Sequence, residues 1–245
     1  MFILIACEES GIVAQAFIEQ GFTNVFSCDM LETSGNYPNR HIIGDVLPIL
    51  NGNCIVTTAD GIKHEINTKF SLIIAFPPCT HLANCGAPWF TEKRLDGRQQ
   101  QAINFFMSVV NIDCPMIAIE NPVGIMSTIY RKPDQIIQPF EFGDSYSKRT
   151  CFWLKGLPKL IPTKIVDKGE HVKFKSGNIM PKWYADAWNL SAKERSKLRS
   201  KTFPGIAKAL ATQYTAFIKS KMTVSEWENL RGKRLRRFGE WILTN

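Results

Sequence analysis

No stretch of about twenty apolar residues occurs in this 245-residue chain, so no segment has the length a helix needs to cross a bilayer core. The longest apolar runs, Phe2 to Cys7 and Leu72 to Phe76, are far shorter. A basic-then-apolar leader with a cleavage site is also missing, and the expectation is a cytoplasmic protein. Cys-x-x-Cys spacing does not occur. Seven cysteines, odd in number and scattered, argue against a disulfide framework and for a reducing compartment. Cys79 and Cys85, the closest pair, have no second pair or nearby histidine set to complete four zinc ligands, so no metal site is expected. Repeats and low-complexity segments are absent as well. What is present is a globular composition, 44% hydrophobic and 21% charged, enough for one sizeable core and a small appended lobe.

Charge is unevenly placed. Residues 1–154 carry 10 Lys and Arg against 15 Asp and Glu, a net of −5, while residues 155–245 carry 20 against 7, a net of +13; the two give the whole-chain +8. A lysine-rich surface that only keeps the chain in solution is one reading. A surface for nucleic acid or an anionic membrane is the other, and nucleic acid is favoured because no apolar-faced amphipathic helix accompanies the basic run.

The first 125 residues alternate short apolar runs with helix-like stretches, the pattern of a wound α/β domain with a mostly parallel sheet. Strands are expected at Phe2 to Cys7, Val25 to Cys28 ending at Asp29, Leu72 to Phe76, Met116 to Ile119 and Cys151 to Leu154. Helices are expected at Ile12 to Gln20, stopped by Gly21, at Gln99 to Val110, and at Phe203 to Ile218 after Thr202 as cap with Pro204 early in the helix. A short helix at Val224 to Leu230 precedes the basic cluster Arg231, Lys233, Arg234, Arg236 and Arg237. From Lys155 to Ser200 the periodicity fades into Lys, Pro, Gly and aromatics, including Trp183, Tyr184 and Trp188, which reads as an inserted lobe. Reactive residues recur just beyond strand ends, where open α/β sheets build their ligand crevice.

Two segments carry chemistry. In Ala75-Phe76-Pro77-Pro78-Cys79-Thr80-His81, two prolines cannot continue a central strand, so the following thiol is displayed at a stiff turn. A small buried inert cysteine is the alternative. As a nucleophile Cys79 needs a cation or donors nearby, because a thiol of pKa ~8.5 is only a few per cent thiolate at neutral pH. In Ile117-Ala118-Ile119-Glu120-Asn121-Pro122, a glutamate after an apolar run is either at a solvent-facing strand end or in a site that raises its proton affinity, and Pro122 holds Asn121 extended.

These segments, in this order, resemble the cytosine-5 DNA methyltransferases, whose nucleophile lies in a Pro-Cys motif and whose base-holding acid lies in a later Glu-Asn motif. More closely, Ile5-Ala6-Cys7-Glu8-Glu9-Ser10-Gly11, Ser27-Cys28-Asp29, Gly44-Asp45-Val46, Pro77-Pro78-Cys79-Thr80, Ile119-Glu120-Asn121-Pro122, Lys148-Arg149-Thr150 through Trp153-Leu154-Lys155-Gly156-Leu157-Pro158, and Thr202-Phe203-Pro204-Gly205-Ile206-Ala207 look like a group of small phage-encoded methyltransferases. The resemblance covers about residues 2–218. It implies an α/β fold, a Rossmann-like methyltransferase sheet with helices on both faces, plus a small basic inserted lobe.

The resemblance also implies roles. S-adenosylmethionine would lie over the loop Ala6, Cys7, Glu8, Ser10 and Gly11 and against Pro77 and Thr202, with Asp29 accepting from the ribose hydroxyls and Asp45 facing the adenine. Cys79 would attack carbon 6 of cytosine, Glu120 would contact ring nitrogen 3 and the amino group, and Arg149 would support base and thiolate. The chain departs from the pattern in having Gly11 as the only glycine in the first loop, Thr80 for glutamine, Pro122 for valine, and one arginine in the Lys148-Arg149 motif. The implied organisation is a cofactor-binding catalytic domain over 1–154, a basic target-recognition lobe over 155–201, a helix returning over 202–220 and a basic tail over 221–245, in a monomer acting on DNA. The same chemistry on RNA, or a catalytically weak nucleic-acid-binding relative, remains open. An amino-group methylase is disfavoured, since Cys79 stands where those enzymes put a stacking aromatic.

Overall fold

A computed structural model describes residues 1–231 of the protein; the basic cluster that begins at Arg231 lies, past its first residue, outside the described part. In chain order the strands are β1 (Ile3–Ala6), β2 (Val25–Asp29), β3 (His41–Ile43), β4 (Cys54–Thr57), β5 (Lys63–Ile66), β6 (Leu72–Ala75), β7 (Ile117–Pro122), β8 (Gln135–Ile137), β9 (Thr150–Lys155), β10 (His171–Lys173) and β11 (Ile179–Pro181). The helices are α1 (Ile12–Glu19), α2 (Phe90–Leu95), α3 (Arg98–Val110), α4 (Met126–Ile129), α5 (Lys182–Asp186), α6 (Ala192–Ser200), α7 (Pro204–Ser220) and α8 (Val224–Arg231).

Seven strands form one sheet in the order β3-β2-β1-β6-β7-β9-β8. The pairs from β3 through β7 are parallel, and β9 runs antiparallel between β7 and β8. The sheet is the Rossmann-like one expected. β1 and β6 are buried at every position, as strands covered on both faces must be. Their alternating side chains feed two cores. Ile3, Ile5, Leu72 and Ile74 pack against Val13 and Phe17 of α1 and Leu210 and Tyr214 of α7. Leu4, Ala6, Ile73 and Ala75 pack against Phe106 and Val109 of α3 on the other side. Helices thus cover both faces. No helix among the described residues is long and apolar enough to cross a membrane.

Three expectations are corrected. β7 does not stop at Ile119; it continues through Pro122, because antiparallel pairing with β9 extends to Pro122↔Thr150, and a proline at a strand end forfeits no ladder bond. The cap of α7 is not Thr202 but Phe203, which makes no side-chain cap bond. The first turn is served instead by Asp144, whose Oδ2 accepts from the Gly205 N–H at 2.8 Å. The segment 155–201, which shows no periodicity, contains the hairpin β10–β11 and helices α5 and α6.

Candidate active site

β6 and β7 are adjacent and parallel, with Ala75 beside Ile119, so the residues just past Ala75 and Ile119 emerge together at the carboxyl edge. The Cys79 loop is held there by backbone geometry. The Cys79 carbonyl accepts from the N–H groups of Leu82 and Ala83 at 3.0 and 2.9 Å, closing a single turn around the thiol residue. Lys93 of α2, nearly buried, donates from Nζ to the Thr80 carbonyl at 2.8 Å.

The loop is also joined to the end of β7. Asn121 Nδ2 donates to the Pro77 carbonyl at 2.8 Å. The Asn84 N–H reaches the Val123 carbonyl at 3.0 Å and the Ile125 N–H the Leu82 carbonyl at 2.9 Å. This close approach needs Gly124: a Cβ there would lie 2.2 Å from the Leu82 carbonyl oxygen. Cys79 and Glu120 are therefore set relative to one another by three hydrogen bonds and one glycine.

Glu120 stands opposite Phe152 of β9. It lines a pocket with Phe76, Lys148, Thr150, Phe152, the Ser200–Phe203 junction and Ile206; the cavity volume is about 10 Å³, room for one water at most. Burial pushes the Glu120 carboxyl up from its usual range, and Lys148 opposes the shift. Burial, then the Glu120 charge, push the Cys79 thiol up, and Lys148 again opposes. Lys148 is thus the cation facing both groups, with its Nζ donating to the Arg199 carbonyl at 2.9 Å. Arg149 is exposed, and its charge acts on Cys151, which packs in the opposite core with Trp153. The arrangement brings Cys79, Glu120 and Lys148 together and leaves Arg149 outside that group.

The residues expected to hold the cofactor lie across β1 at the same edge. Ala6 is buried in β1; Cys7 follows it half-buried with φ of 60°, a left-handed conformation uncommon for a side-chain-bearing residue. The Cys7 thiol is pushed up by burial and then by Asp29, Cys28 and Asp45, which shows that the β1, β2 and β3 ends converge. Asp29 is half-buried with its carboxyl raised, burial being the largest cause; its Oδ1 accepts from the Leu31 N–H at 3.0 Å. Asp45 is exposed, its Oδ1 accepting from the Leu47 N–H at 3.0 Å. Glu8 is turned inward and accepts from the Val13 and Ala14 N–H groups of α1 at 2.6 and 3.2 Å. Its carboxylate is occupied in capping that helix.

Ser10 and Gly11 are covered by the loop after β2: Thr33 donates to the Glu9 carbonyl at 2.9 Å, and a Cβ on Gly35 would meet the Ser10 carbonyl at 2.5 Å. Pro77 is buried, and Thr202 lies in the Glu120 pocket. Sequence reasoning did not single out His41. Its buried ring joins Ser27 of β2, at 2.9 Å from Nδ1, to the Leu31 carbonyl, at 2.8 Å from Nε2, fixing the turn that carries Asp29.

No family model and no curated protein matches the chain. Among solved structures it is similar to one described as a proposed DNA modification methyltransferase encoded within a prophage of Escherichia coli, with a TM-score of 0.41 and 16% identity over 71% of this chain and 59% of that one. The chain spans less than two thirds of that structure's length.

Proposed function

We propose that the protein methylates carbon 5 of cytosine in DNA through a covalent adduct to Cys79, with S-adenosylmethionine as methyl donor. The observation that carries this reading is the joining of the Cys79 loop to the Glu120 strand, with Lys148 facing both side chains. Cytosine carbon 5 is too weak a nucleophile in the aromatic ring to attack alone. Addition of the Cys79 thiolate to carbon 6 breaks the 5,6 double bond, and a proton held by Glu120 at ring nitrogen 3 receives the charge that develops there. Burial favours the protonated Glu120 that this step requires. Burial opposes the Cys79 thiolate, so Lys148 supplies the opposite charge that a working thiolate needs. After carbon 5 has accepted the methyl group, its proton passes to solvent water, the electron pair left behind re-forms the 5,6 double bond as Cys79 departs from carbon 6 as thiolate, and nitrogen 3 returns its proton to Glu120.

The residues at the other end of the sheet edge fit the donor. S-adenosylmethionine, when bound, supplies an electrophilic methyl group on a sulfonium. Asp29, at the end of β2 with Oδ1 held by a backbone N–H, presents Oδ2 as an acceptor of the kind that ribose hydroxyls take. Asp45 would face the adenine beside it, and Cys7 to Gly11 would run beneath the methionine end. A paired cytosine must leave the stack to reach Cys79, at a cost of a few kcal/mol. The basic segment 155–201 is suited to offset that cost through phosphate contacts.

DNA carrying 5-fluorocytosine tests the reading, because fluorine at carbon 5 cannot depart as a proton and elimination stalls. The expected result is a covalent protein–DNA complex whose peptide maps to Cys79, lost in Cys79→Ser and kept in Cys85→Ser. A complex mapping to Cys85 or Cys7, or methylation persisting in Cys79→Ser, overturns the mechanism.

A further inference from the structure

Arg199 lies near the end of α6, one residue before the junction that lines the Glu120 pocket. Its guanidinium carbon is 3.8 Å from the centre of the Tyr184 ring and 5.6 Å from that of Trp188. The stack fixes the plane of the cation. The Tyr184 phenol underneath is within electrostatic reach of Cys85 and Cys79, so the stack borders the nucleophile loop. Its other end is open: Trp188 is 60% exposed, and Arg195 sits 5.4 Å from its ring centre.

Nε and Nη2 of Arg199 are buried without a hydrogen-bond partner. These two N–H groups share one edge of the guanidinium and point the same way, the fork that takes two oxygens of one phosphate or carboxylate. A buried donor without an acceptor is costly and calls for an explanation. The segment around it favours an anion: residues 155–201 carry 12 Lys and Arg against 4 Asp and Glu. An exposed ring, Trp188, flanked by the guanidinium groups of Arg195 and Arg199 suits a nucleotide in particular, since a base stacks on the ring while the cations meet the backbone.

We propose that Arg199 binds a backbone phosphate of the strand that delivers the target base to Cys79. This rests on the functional reading above. The fork is closed to solvent and the Glu120 pocket holds about 10 Å³, too little for a base. The phosphate contact therefore forms as the 199–203 segment moves off the pocket, and admission of the base and engagement of the fork are one event.

The test is binding of a fluorescein-labelled mixed-sequence duplex to the full chain over a salt series. The variants are Arg199→Gln, Arg199→Lys and, as a control in the α1–α7 groove, Lys208→Gln. Wild-type chain that binds no DNA removes the functional reading and this proposal with it. Given wild-type binding, Arg199→Gln is expected to weaken affinity about tenfold and to lower the log–log salt slope by about one. Arg199→Lys keeps the slope, Lys208→Gln keeps both, and without DNA the melting temperature of Arg199→Gln equals or exceeds wild type. A wild-type slope in Arg199→Gln overturns the proposal. So does weakened binding that follows a fall in melting temperature in both Arg199 variants, the sign of a purely structural role.

Discussion

Lys148 and Arg149 are neighbours in sequence and opposites in surroundings. Lys148 shares a pocket with Glu120, whereas Arg149 is exposed. Lys148→Met is therefore expected to slow 5-fluorocytosine adduct formation by about 10²-fold or more, as for loss of one preorganised electrostatic partner, while Arg149→Ala leaves it within a few-fold. The reverse order would assign the cation to Arg149. Glu8 makes a second prediction at this scale. Burial, partly offset by the Val13 and Ala14 N–H groups, pushes its carboxyl up from 4.5 to about 7. The folded protein then holds a proton that the unfolded chain releases, so stability falls as pH rises from 4.5 to 7. At about 1.4 kcal/mol per pH unit the loss reaches roughly 3 kcal/mol. Thermal melting of wild type and Glu8→Gln across that window checks it: the difference between the two should change with pH, in favour of wild type as pH falls, and parallel curves would refute the assignment.

At the scale of elements, the site depends on how closely two loops approach. In Gly124→Ala the new methyl meets the Leu82 carbonyl oxygen at 2.2 Å, a backbone atom that cannot rotate away. The expected cost is about 1–3 kcal/mol of stability, and a displacement near 1 Å between Cys79 and Glu120 carries about a 10²-fold loss of rate. A Gly124→Ala chain with wild-type adduct kinetics would show that the loops are set by something else. The same elements show what the sequence discloses. β1, β6 and the start of β7 are legible because strands buried on both faces are unbroken apolar runs. β3 is not, because its buried His41 is satisfied by Ser27 and a carbonyl that no pattern announces. β4 and β5 form an outlying hairpin with Ile55 71% exposed, so apolar alternation gives no guide there. In β9 the residues of both faces are buried from Thr150 to Trp153. Alternation therefore could not tell which of Lys148 and Arg149 turns toward Glu120; the register with β7 was needed. The motifs paired Cys79 with Glu120, and the structure joins the segments that carry them; the inward turn of Glu8 onto α1 had no such signal, because a helix cap five and six residues away leaves no local signature.

For the whole molecule, the two halves of the proposed reaction sit on one edge of one sheet but on different strands. Asp29 ends β2, on one side of β1, while on the other Cys79 follows β6 and Glu120 lies in β7. They are joined through β1 and the buried cores rather than by a shared side chain, since Asp29 answers electrostatically to His41 and Glu9 and Cys79 to Glu120 and Lys148. Substitutions at the two ends should therefore separate. A ligand that binds only the folded chain raises stability by RT ln(1 + [L]/Kd), about 2.7 kcal/mol at a hundredfold excess over Kd. For a chain of this size that is a rise in melting temperature of roughly 5–10 °C. With S-adenosylhomocysteine, the methyl-free analogue, wild type and Cys79→Ser should both show that rise, because the thiol lies outside the Asp29 turn. Asp29→Ala should lose most of it while melting normally without ligand, its carboxylate being half-buried and bonded only within its own turn. Equal shifts in Asp29→Ala and wild type would move the donor away from β2, and a loss of the shift in Cys79→Ser would mean that the two ends form one site.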